Sequence, residues 1–235
     1  MSIRLITFDL DDTLWPAAPV IERAERVLRQ WLADRVPRLG DFTPERLAAF
    51  RQRVLAREPL LCHRVSGLRR QVLRLALAEA GYAGKEQEQL AEQGFQVFLE
   101  ARNQIAVADG VHQLLARLQG RYVLGVLTNG NADVRRLGLG QYFDFILCAE
   151  ELGVGKPDPH PFREALRRGG VAAGQALHVG DHPLDDMTGA RQAGLRSVWF
   201  NPDDRPWPGG AEPDARIRRL DELPGLLARW SRPAP

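Results

Sequence analysis

Five short runs rich in β-branched and aromatic residues, separated by helical patterns, set the tightest limit on the fold. They fall at residues 3–8, 122–127, 145–147, 176–179 and 197–200, and runs of this length and composition predict strands. Between them, apolar residues return at helical spacing, as at Val111, Leu114, Leu115 and Leu118, or Phe162, Ala165 and Leu166. Strands alternating with helices predict βαβ units, and so an α/β domain: a Rossmann-like parallel sheet with helices on both faces.

Residues 20–106 break that alternation. Val20, Ile21, Ala24, Val27, Leu28, Trp31 and Leu32 keep helical spacing, as do Leu47, Phe50, Val54 and Leu55, then Leu68, Val72, Leu75 and Ala76, then Leu90, Phe98, Ala101 and Ile105. Thr43-Pro44 offers a cap followed by a first-turn proline. No strand pattern interrupts the block. The expected organisation is a core formed by residues 1–17 and 107–235, with an all-helical subdomain, 18–106, inserted after the first strand. The proline- and glycine-rich stretch 201–210 is expected to be loop.

Composition narrows the function classes. A chain of 235 residues suits one sizeable domain carrying an insertion. With 44% hydrophobic and 26% charged residues and a net charge of +2, no nucleic-acid or membrane-surface partner is expected. No apolar run approaches the ~20 residues of a membrane span. The first acids, Asp9, Asp11 and Asp12, come too early for the apolar region of a signal peptide, so the expected location is the cytoplasm. Cys62 and Cys148 match no metal or redox spacing and are expected to be buried thiols. Nothing in the sequence fixes an oligomeric state.

The chemistry gathers at strand ends. The first run ends Phe8-Asp9-Leu10-Asp11-Asp12-Thr13-Leu14. In an open parallel sheet ligands bind beyond the carboxyl ends of the strands, and acids crowded there call for a positive partner, most economically a hard divalent cation. A solvated acidic turn is the bland alternative. The second run ends Thr128-Asn129-Gly130-Asn131, a hydroxyl and an amide able to donate to phosphate oxygens, or simply an Asx-rich turn. Then comes Gly153-Val154-Gly155-Lys156-Pro157-Asp158. Of 32 basic residues only Lys85 and Lys156 are lysine, so a lysine in this fixed loop is informative: a compact ammonium suits a point between two anions better than a planar guanidinium. The fourth run ends His178-Val179-Gly180-Asp181-His182-Pro183-Leu184-Asp185-Asp186, where acids could hold Mg²⁺ or merely favour a helix N-terminus.

Together these four segments resemble the signature of the haloacid dehalogenase-like hydrolase superfamily: Asp-x-Asp-x-Thr, a Ser/Thr, a Lys and a Gly-Asp-x-x-x-x-Asp loop. The helical insertion is similar to that superfamily's α-helical cap. The resemblance implies a phosphatase with Asp9 as nucleophile and Asp11 as general acid and base. It implies that Thr128, Asn129 and Lys156 bind the phosphoryl group, and that Mg²⁺ is held by Asp9, the backbone carbonyl of Asp11, Asp181 and Asp186. Asp185 fits an alternative, shorter spacing. Asp12 is read as structural and Thr13 as shaping the turn. The implied partner is a small phosphorylated metabolite. Phe8 to Trp15, Thr128-Asn129-Gly130-Asn131 and His178-Val179-Gly180-Asp181 also resemble bacterial phosphatases acting on flavin mononucleotide or on 5-amino-6-(5-phosphoribitylamino)uracil. His63, Arg64, Arg69 and Trp15 are the candidate substrate contacts of the cap. Three other readings share parts of the pattern. Phosphomutases carry every core residue. Haloacid dehalogenases use the same first aspartate but attack carbon without needing the metal or the second acid. Receiver domains store an acyl phosphate as a signal, but place their acidic pair before the phosphorylated residue and lack a large helical insertion.

Overall fold

The structure, a computed structural model, describes residues 2–231. In chain order its elements are β1 (Leu5–Phe8), α1 (Ala17–Arg35), α2 (Pro44–Arg57), α3 (Val65–Glu79), α4 (Gly84–Arg102), α5 (Asp109–Leu118), β2 (Val123–Thr128), β3 (Phe145–Cys148), α6 (Ala149–Leu152), α7 (Pro159–Gly169), β4 (Ala176–Gly180), α8 (Gly189–Gln192), β5 (Arg196–Phe200), β6 (Ala215–Ile217) and α9 (Leu223–Trp230). They form two compact units. One comprises the chain up to Pro16, Ala106–Gly130 and Val134 onward; the other comprises Ala17–Ile105 with Asn131–Asp133.

The first unit is an α/β domain around a six-stranded sheet of order β3-β2-β1-β4-β5-β6, every neighbouring pair parallel. The chain lays β2 and β3 on one side of β1 and then β4, β5 and β6 on the other. The order therefore reverses between β1 and β4, and a crevice opens at such a switch point beyond the carboxyl ends of the strands. Leu5, Leu127, Leu147 and Ala176 of the sheet pack with Phe162 and Ala165 of α7 and Ala190 of α8 in one buried cluster. Asp158 caps α7, its Oδ1 accepting from the His160 N–H at 2.7 Å, with Pro159 in the first turn.

The second unit is helical throughout its inserted segment. Ala24, Leu28 and Leu32 of α1, Phe50 and Val54 of α2, five side chains of α3 and Ala91, Phe95 and Phe98 of α4 form its buried core. Thr43 caps α2, accepting from the Arg46 N–H at 3.3 Å ahead of Pro44. At Gly94 of α4 an added Cβ would lie 3.1 Å from Trp31 and 3.5 Å from Leu28, so α1 and α4 approach more closely there than a larger residue would allow.

Two sequence expectations need correction. Cys62 is exposed and Cys148 is half-buried. Cys62 lies in a single 3₁₀ turn, Pro59–His63, none of whose residues is buried. Cys148 ends the edge strand β3, where burial alternates residue by residue. The sheet also has one strand more than the five runs suggested, because β6 is three residues long and buries only Ile217. No helix among the described residues is long and apolar enough to cross a membrane.

Leu28 is completely buried in the helical unit, so Leu28→Ala should destabilise that unit by roughly 2–5 kcal/mol. Chemical denaturation followed by circular dichroism would read the loss, and a change below about 1 kcal/mol would contradict the close packing of α1.

Candidate active site

The reversal between β1 and β4 brings Asp9 and Asp181 to adjacent strand ends. The Asp9 N–H donates to the Val179 carbonyl at 2.9 Å, which continues the β1–β4 ladder one residue past β1. After Gly180 the chain makes a π-helical turn, Pro183–Thr188, carrying Asp186. Such turns often sit at functional sites. Gly180 is what lets Asp186 fold back onto the strand: a Cβ there would lie 2.3 Å from the Asp186 Cγ.

Asp9, Asp181 and Asp186 each offer a carboxylate oxygen, and these oxygens lie within 4.8 Å of one another. Lys156 reaches the same point from the loop after α6. Its Nζ donates to Asp9 Oδ1 at 2.6 Å and to Asp186 Oδ1 at 2.5 Å, and its side chain is 2% exposed. Asn129 fixes this loop: its Nδ2 donates to the Lys156 carbonyl and its Oδ1 accepts from the Lys156 N–H, both at 2.8 Å. Gly155 makes room for that bracket, since a Cβ there would sit 2.5 Å from Asn129 Oδ1. The Thr128 hydroxyl accepts from the Gly130 N–H at 2.9 Å and shapes the turn after β2.

Burial works against the Asp186 charge, but Lys156 and then His178 outweigh it and hold this carboxyl well below the usual range. Burial likewise opposes the Lys156 ammonium, and Asp186 and Asp9 more than compensate, raising it above the ordinary lysine value. Asp9 fares differently. Burial, opposed by Lys156 and reinforced by Asp186, pushes its carboxyl up to about 8. Burial, with Asp186 and Asp12 adding to it, pushes Asp181 up to about 6. One ammonium therefore does not balance three converging acids. The donor set fits a hard dication: oxygens about 2.1 Å from Mg²⁺ are roughly 3 Å apart when adjacent and about 4.2 Å apart when opposed, within the observed spread.

Sequence reasoning missed the groups that hold these acids. His178 is fully buried on β4, and burial, opposed by Asp186, lowers its pKa. An ionised carboxylate only accepts, so Nε2–H donates to Asp186 Oδ1 at 3.0 Å; Nδ1 lies 2.8 Å from the Thr7 hydroxyl, which donates to the Leu177 carbonyl at 3.3 Å. The His182 N–H donates to the other Asp186 oxygen at 2.9 Å. The Trp199 indole N–H holds the Asp181 carbonyl at 2.8 Å. A histidine inside an otherwise apolar strand was the one visible signal.

Asp11 lies outside the acid cluster of Asp9, Asp181 and Asp186, and its Oδ1 accepts from the Trp15 indole at 2.9 Å. Trp15 belongs to the α/β unit and is 4% exposed, which departs from its expectation as a cap residue. Thr13 Oγ1 stands 3.5 Å from Asp9 Oδ2 and its N–H bonds the Leu10 carbonyl. Asp12 adopts φ 58° within this turn, a left-handed conformation that aspartate tolerates. Asp185 lines the same cavity without joining the cluster of three acids, its Oδ2 3.7 Å from His182 Nδ1. In the helical unit Arg69 bonds Glu25 at 2.7 Å and lies over the Phe98 ring. Asp9, Asp11, Thr128, Asn129, Lys156, Asp181 and Asp186 surround one cavity of about 200 Å³, smaller than the ~300 Å³ or more of a pocket for a whole small ligand.

A family model described as haloacid dehalogenase-like hydrolase matches residues 3–194. The chain is 34% identical over 229 residues to the 5-amino-6-(5-phospho-D-ribitylamino)uracil phosphatase YigB of Escherichia coli (strain K12), covering 96% of both chains. It is 54% identical, with TM-score 0.95, to a structure described as 2-haloacid dehalogenase from Pseudomonas syringae pv. Tomato DC3000, covering 97% of this chain and 100% of that one. The HAD-hydrolase YfnB of Bacillus subtilis, solved bound to magnesium, superposes with TM-score 0.68 at 26% identity, covering 97% and 99% of the two chains. A parallel sheet with a buried lysine and carboxylates at its switch point, in a chain that a hydrolase family model matches over residues 3–194, defines a hydrolytic enzyme. More particularly, this protein belongs to the haloacid dehalogenase-like hydrolases.

Because Gly180 is the point on which Asp186 folds back, Gly180→Ala should lower hydrolase activity by on the order of a hundredfold, with little loss of helix or strand content. Steady-state turnover and circular dichroism of the variant would test this; wild-type turnover would show that the close approach is unnecessary.

Proposed function

We propose that this protein hydrolyses small phosphoric monoesters in two steps through Asp9, and that Asp9, the Asp11 carbonyl, Asp181 and Asp186 hold Mg²⁺. The observation that carries the reading is the convergence of Asp9, Asp181 and Asp186 on one point with Lys156 between two of them. When bound, the ion neutralises charge on the phosphoryl oxygens and on the attacking carboxylate.

The chain's own residues do the rest. The Lys156 ammonium steadies Asp9 and meets the negative charge of the incoming group. The Thr128 hydroxyl and the turn after β2 line the cavity and orient the phosphoryl group. Asn129 spends its amide on the Lys156 backbone, which supports a positioning role. Asp9 attacks phosphorus as the ester oxygen departs, Asp11 giving that oxygen a proton. Water then attacks the aspartyl phosphate, Asp11 takes its proton, and phosphate leaves with Asp9 restored. Splitting the hydrolysis replaces one difficult displacement by two easier ones. The small cavity suits the reacting group alone, so the organic portion of the substrate extends beyond it. Full-length similarity to YigB supports 5-amino-6-(5-phosphoribitylamino)uracil as a substrate, with flavin mononucleotide a chemically close second.

A haloacid dehalogenase reading draws on the Pseudomonas syringae relative. In that reaction Asp9 would attack carbon and expel halide, and Asp11, Asp181 and Asp186 would be anions without a task. The acid cluster favours the phosphatase.

Release of inorganic phosphate from p-nitrophenyl phosphate, beside release of chloride from 2-chloropropionate, separates the two readings: phosphate without chloride is expected, and chloride without phosphate would overturn the proposal. Asp9→Asn should remove phosphatase turnover by on the order of 10³-fold or more while the protein stays folded. Excess chelator should silence the wild type and added Mg²⁺ should restore it; full turnover in chelator would remove the metal from the reaction.

A further inference from the structure

A second, larger cavity adjoins the reaction cavity on the same α/β unit. Its volume is about 810 Å³, and it shares Asp12 and Asp181 with the smaller one. Its apolar walls come from separate parts of the chain: Leu14 in the turn after β1, Val111 at the start of α5, Phe200 at the end of β5 and Leu220 beyond β6. Arg205 adds a charged group from the connection between β5 and β6.

That connection is firmly held. Asn201, 3% exposed, brackets Arg205: its Nδ2 donates to the Arg205 carbonyl at 2.9 Å and its Oδ1 accepts from the Arg205 N–H at 3.0 Å. Asn129 brackets Lys156 in the same way. Among the described residues, Asp12 and Asp204 are the two non-glycine residues with left-handed φ, 58° and 54°, and one stands in each of two loops flanking this cavity. Such a conformation persists only where the surroundings impose it, and the Asp204 N–H is tied to the Asn201 carbonyl at 3.3 Å. The Arg205 guanidinium stands 4.0 Å from Asp181 Oδ2, beyond hydrogen-bond distance. Arg218 and Arg219, on the same cavity, pair with Asp204 and Asp221 instead.

We propose that this cavity receives the organic portion of the phosphoric monoester and selects for a bulky, flat and mainly apolar one. The inference rests on the phosphatase reading and deepens it. The reaction cavity, at about 200 Å³, has room for a phosphoryl group and little more. The larger one lies within the ~300–1,000 Å³ of ligand pockets, whose usual lining is apolar with a few placed polar groups. An apolar group moved there from water gains in proportion to the area it covers, whereas a small polyol gains little. A planar guanidinium stacks on aromatic faces, so Arg205 favours a flat ring over a branched chain. Selection then resides in fixed groups of the α/β unit, at the ends of the same strands that carry the chemistry.

2-Naphthyl phosphate and phenyl phosphate have leaving oxygens of similar basicity and differ by one fused ring. In the wild type, kcat/KM for the naphthyl ester should exceed that for the phenyl ester by about tenfold. Gly110 lines the cavity, and a Cβ there would meet nothing within 4 Å, so a side chain can be added without displacing the fold. Gly110→Trp should erase the preference, lowering kcat/KM for the naphthyl ester by about tenfold and for the phenyl ester by less than about twofold. Gly110→Leu, which helix propensity favours, should reduce the preference in the same direction. Equal kcat/KM on the two esters in the wild type, or a preference that survives in both variants, would overturn the assignment of this cavity while leaving the phosphatase reading intact. A wild-type protein inert toward both esters would overturn that reading and this assignment with it.

Discussion

The catalytic edge is organised around the Lys156 ammonium, held between Asp9 Oδ1 at 2.6 Å and Asp186 Oδ1 at 2.5 Å. Removing three charged side chains from water costs several kcal/mol per ion, and their mutual attraction offsets this only with good geometry and satisfied hydrogen bonds. The surroundings supply both. Asp186 receives Lys156, His178 and the His182 N–H together, and the lysine backbone is bracketed by Asn129. Such an arrangement is poor value as a source of stability, because an apolar cluster of the same volume would serve as well or better. Under the proposed mechanism its worth lies in holding the Asp9 carboxylate in place for attack.

Topology makes that arrangement possible. Asp9 follows β1 and Asp181 follows β4, strands distant in sequence yet hydrogen-bonded neighbours at the point where the sheet order reverses. Lys156 arrives from the connection between β3 and β4, and Thr128 ends β2. No local segment could gather these groups. Apolar burial along the sheet and α7 keeps the strands in register while their ends carry repelling charges, so stability and chemistry occupy different layers of the same unit.

The parallel sheet and the helical block were legible because apolar periodicity records burial directly, and the strand-end motifs were legible because unusual residues stand at fixed offsets from strands. β6 escaped because three residues, Ala215–Ile217, are too few to show a period. The supporting groups escaped for another reason. Thr7 and His178 lie on different strands and meet only when β1 and β4 pair. Trp199 reaches the Asp181 carbonyl from β5. A backbone carbonyl leaves no mark in the sequence, so its partner reads simply as core. Trp15 is the instructive case. Sequence alone marks it as a large aromatic beside an acidic run and suggests a substrate contact, whereas the turn folds it back onto Asp11, four residues before it.

The acid cluster also bears on why a fold shared with a structure described as a dehalogenase does not settle the chemistry. Attack on carbon by Asp9 needs an ionised carboxylate and a place for halide to leave. Further carboxylates at the same point only raise the energy of the nucleophile's charge, as burial and Asp186 do for Asp9 here. Phosphoryl transfer reverses that balance. The phosphoryl group brings more negative charge, so the site has to oppose it with at least one cation beyond Lys156, and Asp181 and Asp186 become the means of holding that cation beside the nucleophile. The same three oxygens that burden one reaction are required by the other. On this argument function follows the charges gathered at the switch point, and the shared sheet supplies only the place where they meet.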